Sequence, residues 1–182
     1  MSLPALFLDR DGVINEEGGY LYRIEDFHFV DGIFSLCRTA QSLGYRIVIV
    51  TNQAGIARGL YTTQDFETLM AHVRGEFQKE NVRIDAVYHS PYHPSHGPPE
   101  FRQDHPFRKP SPGMILQAAA DLDLDLAHSI LVGDRCTDIA AANAAGLRQA
   151  FLIAGSESNP CPGQYLPIQT HAEAESWLTQ NP

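Results

Sequence analysis

The sequence predicts an α/β fold, with an open and mostly parallel sheet that carries helices on both faces. Short apolar runs alternate with segments of helical period along its 182 residues, and this alternation is typical of parallel sheets. Several apolar runs also end abruptly in carboxylate or hydroxyl side chains. Since domains commonly run to roughly 100–200 residues, we expect a single domain over 1–182.

The N-terminal half contains three of the predicted strands and two of the predicted helices. In chain order they are a strand over 5–8, a helix over 31–44, a strand over 45–50, a helix over 62–81 and a strand over 84–89. The strands are apolar or β-branched runs, whereas the helices repeat apolar side chains every three or four residues. Asp31 is the predicted N-cap of the first helix, and Gly44 is its predicted end.

The C-terminal half continues the alternation after one irregular segment. Its predicted elements are a helix over 111–124, a strand over 129–134, a helix over 137–146, a strand over 149–153 and a short helix near 172–179. Ser111 is the predicted cap of the first of these helices, with Pro112 in its first turn. The proline- and histidine-rich loop 90–107 is irregular, and such a loop is usually functional or mobile. The tail after 154 is predicted to be less regular.

Charge and composition limit the possible partners. The formal net charge is −9, from 22 acidic and 13 basic residues, which argues against nucleic acid or an anionic membrane as a partner. No apolar stretch reaches the ~18 residues of a membrane span, and no basic, apolar leader is evident. The three cysteines are widely separated, so we expect no disulfide framework and no cysteine-built zinc site. These features predict a cytoplasmic monomer.

The ends of the predicted strands carry the chemistry. Ligands of open α/β sheets bind at the carboxyl ends of the strands. The side chains found there, or just before a predicted helix, are Asp9, Asp11, Thr51, Asn52, Lys109, Asp134 and Asp138. Two carboxylates as close in sequence as Asp9 and Asp11 repel each other unless a cation offsets them, which indicates a metal site.

This set of side chains suits phosphoryl transfer. An aspartate can attack phosphorus and hold the group as an aspartyl phosphate, and carboxylates with phosphate oxygens are ligands that Mg²⁺ prefers. A second carboxylate can protonate the leaving oxygen and later deprotonate water. Thr51 and Lys109 could hold the phosphoryl oxygens. The strand ends therefore carry the groups that phosphoryl transfer requires.

Four segments resemble the ordered motifs of the haloacid dehalogenase (HAD) superfamily of phosphatases. They read "FLDRDGVIN", "VIVTNQAGIARG", "RKPSPGM" and "VGDRCTDIAAANAAG" and span roughly residues 5–150. The resemblance implies a Mg²⁺-dependent phosphomonoesterase acting on a small phosphorylated sugar. It also implies a Rossmann-like, HAD-like three-layer sandwich, and no insertion is long enough for a large cap domain. More narrowly, "DRDGVINEEGGYLY", "TNQAGIARG" and "RKPSPGM" resemble the D-glycero-D-manno-heptose 1,7-bisphosphate 7-phosphatases, in a histidinol-phosphatase-like branch.

The resemblance also implies residue roles. Asp9 would be the nucleophile and a Mg²⁺ ligand, Asp11 the acid/base and a metal ligand through its carbonyl, and Asp134 the third metal residue. Thr51 and Lys109 would hold the phosphoryl group. The implied substrate-binding residues are Glu17, Gly18, Gly19, Tyr20, Thr51, Asn52, Gln53, Ala54, Arg108 and Lys109.

The chain departs from the family at its zinc loop. The family commonly binds a structural zinc through a Cys-x-His and a Cys-x-Cys pair. The matching positions here are Ser90, Tyr92, His105 and Phe107, so we expect no zinc, with an atypical histidine and carboxylate site as the alternative. Arg135 also stands where the family usually has lysine.

Several alternatives stay open on sequence alone. The substrate could be histidinol phosphate or another small sugar phosphate in place of the heptose bisphosphate. A phospho-accepting signalling domain would use a similar aspartate, threonine and lysine, but would have no need of Asp11. Asp138 is either an outer metal residue or a first-turn residue favoured by the helix dipole. Arg58 and Arg102 either extend a cationic rim towards a second phosphate or sugar hydroxyls, or are surface arginines.

Overall fold

The centre of the molecule is a sheet in which every neighbouring pair of strands is parallel. The computed structural model describes residues 2–153 and 160–181, and within these residues the sheet has six strands. In chain order they are β1 (Ala5–Leu8), β2 (Arg46–Asn52), β3 (Ala86–Ser90), β4 (Ile130–Gly133), β5 (Gln149–Ile153) and β6 (Leu166–Ile168). They lie in the spatial order β3-β2-β1-β4-β5-β6. The predicted α/β fold is confirmed.

Helices cover both faces of this sheet. They are α1 (Ile33–Ser42), α2 (Ala54–Ala57), α3 (Thr63–Lys79), α4 (Gly113–Leu122), α5 (Cys136–Ala144) and α6 (His171–Gln180). One hydrophobic cluster packs α1, α3 and α6 against one face, and a second packs α4 and α5 against the other. The predicted three-layer sandwich is therefore confirmed.

The central strand β1 explains why the site forms where it does. Leu6 and Leu8 enter one hydrophobic cluster and Phe7 enters the other, because a strand covered on both faces is apolar throughout. The chain runs outward from β1 through β2 to β3 on one side, and through β4 to β6 on the other. The strand order thus reverses between β1 and β4, and α/β sheets bind ligands at such a reversal.

The predicted N-caps of two helices are each wrong by one residue. The N-cap of α1 is Gly32 and not Asp31, and its φ of 86° lies in the left-handed region that glycine adopts without steric cost. The N-cap of α4 is Pro112 and not Ser111, whose backbone N–H instead closes a turn onto the Arg108 carbonyl. In both cases a local turn ends one residue later than the side-chain capping pattern suggests.

The sequence did not predict α2 or β6. The four residues of α2 are too few for helical periodicity, and the three residues of β6 follow a proline- and glycine-rich segment. The start of the predicted irregular tail, 154–159, lies outside the described residues. Beyond it the chain is more regular than predicted, since β6 pairs in parallel with β5 and α6 packs against α1.

The segments that could hold a cap domain are short. Between β1 and α1 the chain forms a loop with one 3-10 turn at Ile24–Asp26, and between β2 and β3 it forms α2 and α3. Among the described residues neither segment folds into a separate domain. Within residues 2–153 and 160–181, none of the helices is long and apolar enough to cross a membrane.

One expectation about the cysteines is wrong. Cys136 at the start of α5 and Cys161 near β6 are joined by a disulfide, although 25 residues separate them in sequence. Their Cα atoms lie 5.0 Å apart because the chain after β5 returns to the face that α5 covers. The third cysteine, Cys37, is free and buried.

Candidate active site

A cleft of about 320 Å³ opens at the carboxyl ends of the central strands. Its lining includes most of the residues that the sequence singled out, namely Asp9, Asp11, Glu17, Gly19, Tyr20, Asn52, Gln53, Ala54, Arg108, Lys109 and Asp138. Gly18, Thr51 and Asp134 do not line it; Thr51 and Asp134 are buried just beneath. The volume falls within the range of small-molecule sites, about 300–1,000 Å³.

A cluster of three buried carboxylates lies at the floor of the cleft and just beneath it. Asp9 follows β1, Asp134 follows β4 and Asp138 lies in the first turn of α5, and each offers an oxygen within 4.8 Å of the others. Burial, and then the charges of Asp9 and Asp138, raises the pKa of Asp134 to about 8. Burial also raises the pKa of Asp138, although the Lys109 ammonium opposes this rise. A cation would relieve the repulsion, and three carboxylate oxygens fit Mg²⁺.

Two glycines allow these carboxylates to approach the loops so closely. A Cβ atom on Gly12 would lie 2.5 Å from Asp134 Oδ2, and Gly12 has a φ of +78°. A Cβ atom on Gly133 would lie 2.3 Å from the Cβ atom of Asp138. Any larger residue at either position would push a carboxylate out of the cluster.

Lys109 supplies the positive charge of the cluster. Its ammonium lies 2.8 Å from Asp9 Oδ1 and 2.6 Å from Asp138 Oδ1, and it also donates to the Val50 carbonyl at 2.8 Å. Burial disfavours the charged form, but the carboxylates of Asp138 and Asp9 outweigh it and raise the pKa of Lys109 above its usual value. The buried lysine therefore stays charged beside the predicted nucleophile.

Asn52 fixes the backbone of Lys109. Its amide donates to the Lys109 carbonyl at 3.0 Å, and its oxygen accepts the Lys109 N–H at 3.1 Å. The side chain predicted to bind substrate is thus occupied in holding the lysine in place.

Gln53 similarly connects groups of the site. Its amide donates to Thr51 Oγ1 at 2.8 Å and to Asp11 Oδ2 at 3.2 Å, while its oxygen accepts the hydroxyl of Tyr61. Burial raises the pKa of Tyr61 to about 12, so this hydroxyl is a donor at neutral pH. Gln53 therefore orients the predicted acid/base and the predicted phosphoryl-binding hydroxyl together.

Asp11 is oriented from its other side by Arg10. The Arg10 guanidinium is 1% exposed and reaches Asp11 Oδ1 at 2.6 Å, and it also donates to the Leu21 carbonyl at 2.8 Å. Asn15 donates to the same carboxylate oxygen at 3.2 Å. The side chain of Asp11 lies outside the carboxylate cluster, so metal binding through its carbonyl stays a prediction.

The mouth of the cleft is bordered by charged loops. Glu17 and Arg135 form an ion pair of 2.6 Å across it. Arg58, at the end of α2, and the half-buried Arg108 both line the cleft, together with His93 from the long loop. Arg102 is exposed and does not line it.

The four positions that match the family's zinc ligands contain an aromatic stack. The rings of Tyr92 and His105 stack with centroids 3.9 Å apart, and Phe107 meets His105 edge to face at 5.4 Å. Ser90 is buried at the end of β3. Among the described residues, the carboxylate cluster is the one group of three close metal-ligating side chains.

Sequence reasoning missed Arg10, Asn15 and Tyr61, and it left Asp138 undecided. A signal existed for Arg10, because a cation between two aspartates at the end of a buried strand must find a partner. Tyr61 carries no signal in the sequence, since only the packing of α2 brings its hydroxyl to Gln53. Asp138 lies in the carboxylate cluster and, as a first-turn residue, also accepts the Arg135 backbone N–H at 3.0 Å, so its part in metal binding stays a prediction.

Comparison with known proteins points to one family. A HAD-hydrolase-like family model matches residues 106–172. The chain is 50% identical over 159 residues to a D-glycero-alpha-D-manno-heptose-1,7-bisphosphate 7-phosphatase of Burkholderia mallei, a match that covers 87% of this chain and 84% of that protein. It is 43% identical over 152 residues to a D-glycero-beta-D-manno-heptose-1,7-bisphosphate 7-phosphatase of Escherichia coli K12, a match that covers 84% of this chain and 80% of that protein.

Solved structures agree with this match. The fold superposes on D,D-heptose 1,7-bisphosphate phosphatase from B. bronchiseptica, complexed with magnesium and phosphate, with a TM-score of 0.85 and 26% identity. The match covers 99% of this chain and 100% of that one.

Proposed function

This chain belongs to the heptose 1,7-bisphosphate 7-phosphatases of the HAD superfamily, and we propose that it hydrolyses the 7-phosphate of D-glycero-D-manno-heptose 1,7-bisphosphate through an aspartyl phosphate. The observation that carries this proposal is the buried carboxylate of Asp9, 2.8 Å from the Lys109 ammonium, at the base of an open cleft. A nucleophile and a charge that holds phosphoryl oxygens thus lie side by side.

In the first step Asp9 attacks the phosphorus of the 7-phosphate. The Asp9 oxygen forms a bond to phosphorus as the bond to the sugar oxygen breaks, and protonated Asp11 gives its proton to that leaving oxygen. Lys109 and the hydroxyl of Thr51 hold the phosphoryl oxygens, whose charge must be stabilised in the transition state.

In the second step water releases the phosphate. Asp11, now a carboxylate, takes a proton from the water as its oxygen bonds to phosphorus and the bond to Asp9 breaks. The products are inorganic phosphate and the free Asp9 carboxylate. The hydrogen bonds from Arg10 and Gln53 keep Asp11 in one orientation through both steps.

Mg²⁺ is the cofactor of this family, and a solved relative contains it together with phosphate. Asp9 and Asp134 would hold the ion here, with Asp138 beside them. When bound, it supplies a positive charge that offsets the carboxylates and the phosphate. A signalling domain that keeps its phosphoryl group is disfavoured, because Asp11 lines the cleft, held for acid–base work.

We further propose that the partner is a small phosphorylated sugar and that the chain binds neither nucleic acid nor a membrane. We also propose that it acts in the cytoplasm as a monomer of one domain. The net charge of −9 supports this exclusion of polyanions. A sugar with two phosphates does not cross a lipid bilayer unaided, since desolvating its charges is too costly. The enzyme must therefore share a compartment with the reaction that makes its substrate.

The direct test is phosphate release from the purified chain in Mg²⁺. We expect turnover of heptose 1,7-bisphosphate, with phosphorus NMR showing that the 7-phosphate disappears first, and we expect chelation of Mg²⁺ to stop it. Histidinol phosphate, fructose 1,6-bisphosphate and p-nitrophenyl phosphate are the comparison substrates. Preference for histidinol phosphate would contradict the substrate, and no release from any of them would contradict the enzyme.

We also propose that the α-anomer is the preferred substrate. The 50% identical relative is named for that anomer, whereas the 43% identical relative is named for the β-anomer. Initial rates on the two separated anomers test this directly, and a higher kcat/KM for the β-anomer would contradict it.

A further inference from the structure

Tyr61 is a buried tyrosine that no step of the proposed reaction uses. It lies between α2 and α3 beside the cleft, is 6% exposed and stacks on Tyr22 with ring centroids 5.4 Å apart. A Cβ atom on Gly55 would lie 2.2 Å from Tyr61 Cε1, so the ring needs a glycine there to approach α2 this closely. These contacts fix the ring and direct its hydroxyl to the side-chain oxygen of Gln53.

The groups around the Gln53 amide determine which way round it lies. Its nitrogen donates to Asp11 Oδ2 at 3.2 Å and to Thr51 Oγ1 at 2.8 Å, and these two bonds use both of its hydrogens. An ionised carboxylate only accepts hydrogen bonds, so the nitrogen and not the oxygen must face Asp11. The amide oxygen therefore points to Tyr61, whose hydroxyl donates to it.

This orientation leaves the protons of the reaction free. Among the described residues, each side chain that bonds to the Asp11 carboxylate is a donor, namely Arg10, Asn15 and Gln53. When Asp11 is protonated, none of these facing N–H groups accepts its proton, which stays available for the leaving oxygen. In the same way Thr51 Oγ1 accepts from Gln53 and keeps its own hydrogen for a phosphoryl oxygen.

Loss of the Tyr61 hydroxyl would leave the Gln53 oxygen without this donor. Gln53 is 1% exposed, and an unsatisfied buried acceptor is costly. Turning the amide over would relieve that cost, because its oxygen would then accept protons from Asp11 and Thr51. Those are the two protons that the proposed reaction directs to the substrate.

We propose that Tyr61 is a positioning residue of the phosphatase, because its hydroxyl holds the Gln53 amide in one orientation. That orientation reserves the protons of Asp11 and Thr51 for the substrate. The inference rests on the proposed function, in which Asp11 is the acid and Thr51 holds the phosphoryl group. Tyr61 acts through Gln53, so its hydroxyl affects kcat more than KM.

The variant Tyr61→Phe removes the hydroxyl and keeps the ring. We expect kcat on heptose 1,7-bisphosphate to fall about 5- to 100-fold, the usual effect of an unsatisfied buried acceptor, with a smaller change in KM. In single-turnover measurements, the first step should slow less with p-nitrophenyl phosphate, whose leaving group needs no proton. Tyr88→Phe is the matched control, because the Tyr88 hydroxyl donates to Asp121 at 2.8 Å outside the cleft. It should leave the rates on both substrates unchanged.

A double-mutant cycle tests whether Tyr61 acts through Gln53. Gln53→Leu removes the amide and keeps a side chain of similar size, and we expect it to lower kcat at least as far as Tyr61→Phe does. In that background Tyr61→Phe should lower kcat less than about twofold further, since no amide remains to be held. Thermal melts of the four proteins check folding. If Gln53→Leu does not fold, the comparison of the two substrates in Tyr61→Phe decides.

The outcomes separate this proposal from the proposed function. An unchanged kcat in Tyr61→Phe, or a raised KM with kcat kept, would overturn the positioning role and leave the phosphatase intact. A full multiplicative loss in the Gln53→Leu background would do the same, because Tyr61 would then act independently of Gln53. Equal first-step losses with the two substrates would overturn the part that concerns Asp11. A wild-type chain that releases no phosphate overturns the proposed function itself, and the positioning role with it.

Discussion

At the scale of single residues, the site is organised by side chains that hold other side chains. Arg10 and Gln53 approach opposite oxygens of Asp11, and Asn52 bonds to the backbone of Lys109 on both its N–H and its carbonyl. The charged groups are thus fixed before substrate arrives, which lowers the reorganisation that the reaction requires. Two expectations at this scale concern Asp11 and Asp134.

Replacing Asp11 with asparagine removes the proposed acid/base. We expect kcat on heptose bisphosphate to fall about 10²- to 10⁴-fold, the usual contribution of general acid–base catalysis. The loss in the first step should be smaller with p-nitrophenyl phosphate, whose leaving group needs no proton. Asp26→Asn, an exposed aspartate outside the cleft, is the control. A thermal melt of each variant checks folding. An equal loss of the single-turnover rate of the first step on both substrates would argue against the acid role.

Asp134 should couple metal binding to pH. Its pKa is raised to about 8 in the metal-free chain, mainly by burial, so the native state keeps a proton that the unfolded state loses near pH 4. Metal-free stability therefore declines as the pH rises from about 4 through 8. Mg²⁺ competes with that proton, and we expect it to raise the melting temperature more at pH 8.5 than at pH 6. A larger rise at pH 6 would contradict this coupling.

At the scale of elements, the site depends on how closely α5 approaches the end of β4. Gly133 is the last residue of β4, and Asp138 lies in the first turn of α5. The Cβ atom of Asp138 occupies the space that a side chain on Gly133 would need. The Asp138 carboxylate also accepts the backbone N–H groups of Asp134 and Arg135, at 3.2 and 3.0 Å. The position of this helix therefore sets the geometry of the carboxylate cluster.

The variant Gly133→Ala tests this dependence. The added Cβ atom would lie 2.3 Å from the Asp138 Cβ atom, so α5 must move outward, and we expect weaker Mg²⁺ binding and a loss of kcat. Gly75→Ala in α3 is the matched control, because nothing lies within 4 Å of its added Cβ atom. It should stabilise the chain by about 0.5–1 kcal/mol through helix propensity. Calorimetric titration compares the Mg²⁺ affinities of the two variants. An unchanged affinity in Gly133→Ala would contradict the dependence of the site on the position of α5.

At the scale of the whole molecule, two distant stretches of chain are tied beside the active site. The disulfide between Cys136 and Cys161 anchors the segment before β6 to the start of α5, two residues after Asp134. Net charge acts at the same scale, since a chain of net charge −9 must concentrate its cations to bind a phosphate at all. It does so with Lys109 at the floor of the cleft and with Arg58, Arg108 and Arg135 at its mouth.

We expect the disulfide to make a measurable contribution to stability. Closing a loop of this size stabilises a chain by about 2–4 kcal/mol, and for a domain of this length that corresponds to roughly 4–16 °C. We expect dithiothreitol to lower the melting temperature of the wild type by that amount and to leave the melting temperature of Cys161→Ser unchanged. Unreduced, denatured wild type should titrate one thiol per chain, from Cys37. Three thiols would show that the cysteines are unpaired.

The sequence by itself determined the α/β fold and brought the predicted reacting groups to the strand ends. A strand buried on both faces is a continuous apolar run that can be recognised in the sequence. Asp9, Thr51 and Asp134 follow such runs, so their convergence at the carboxyl edge of the sheet could be predicted. The helix starts at Gly32 and Pro112 were misplaced, because a backbone turn there overrides the capping residue beside it.

Only the tertiary structure decided which groups touch. The pairing of Lys109 with both Asp9 and Asp138, the position of Arg58 against His93, and the disulfide all join residues far apart in sequence. The spacing of residues in the sequence does not predict such contacts, because they form only when the helices pack on the sheet. The convergence of the strand ends was therefore readable from sequence, whereas the contacts between their side chains required the fold.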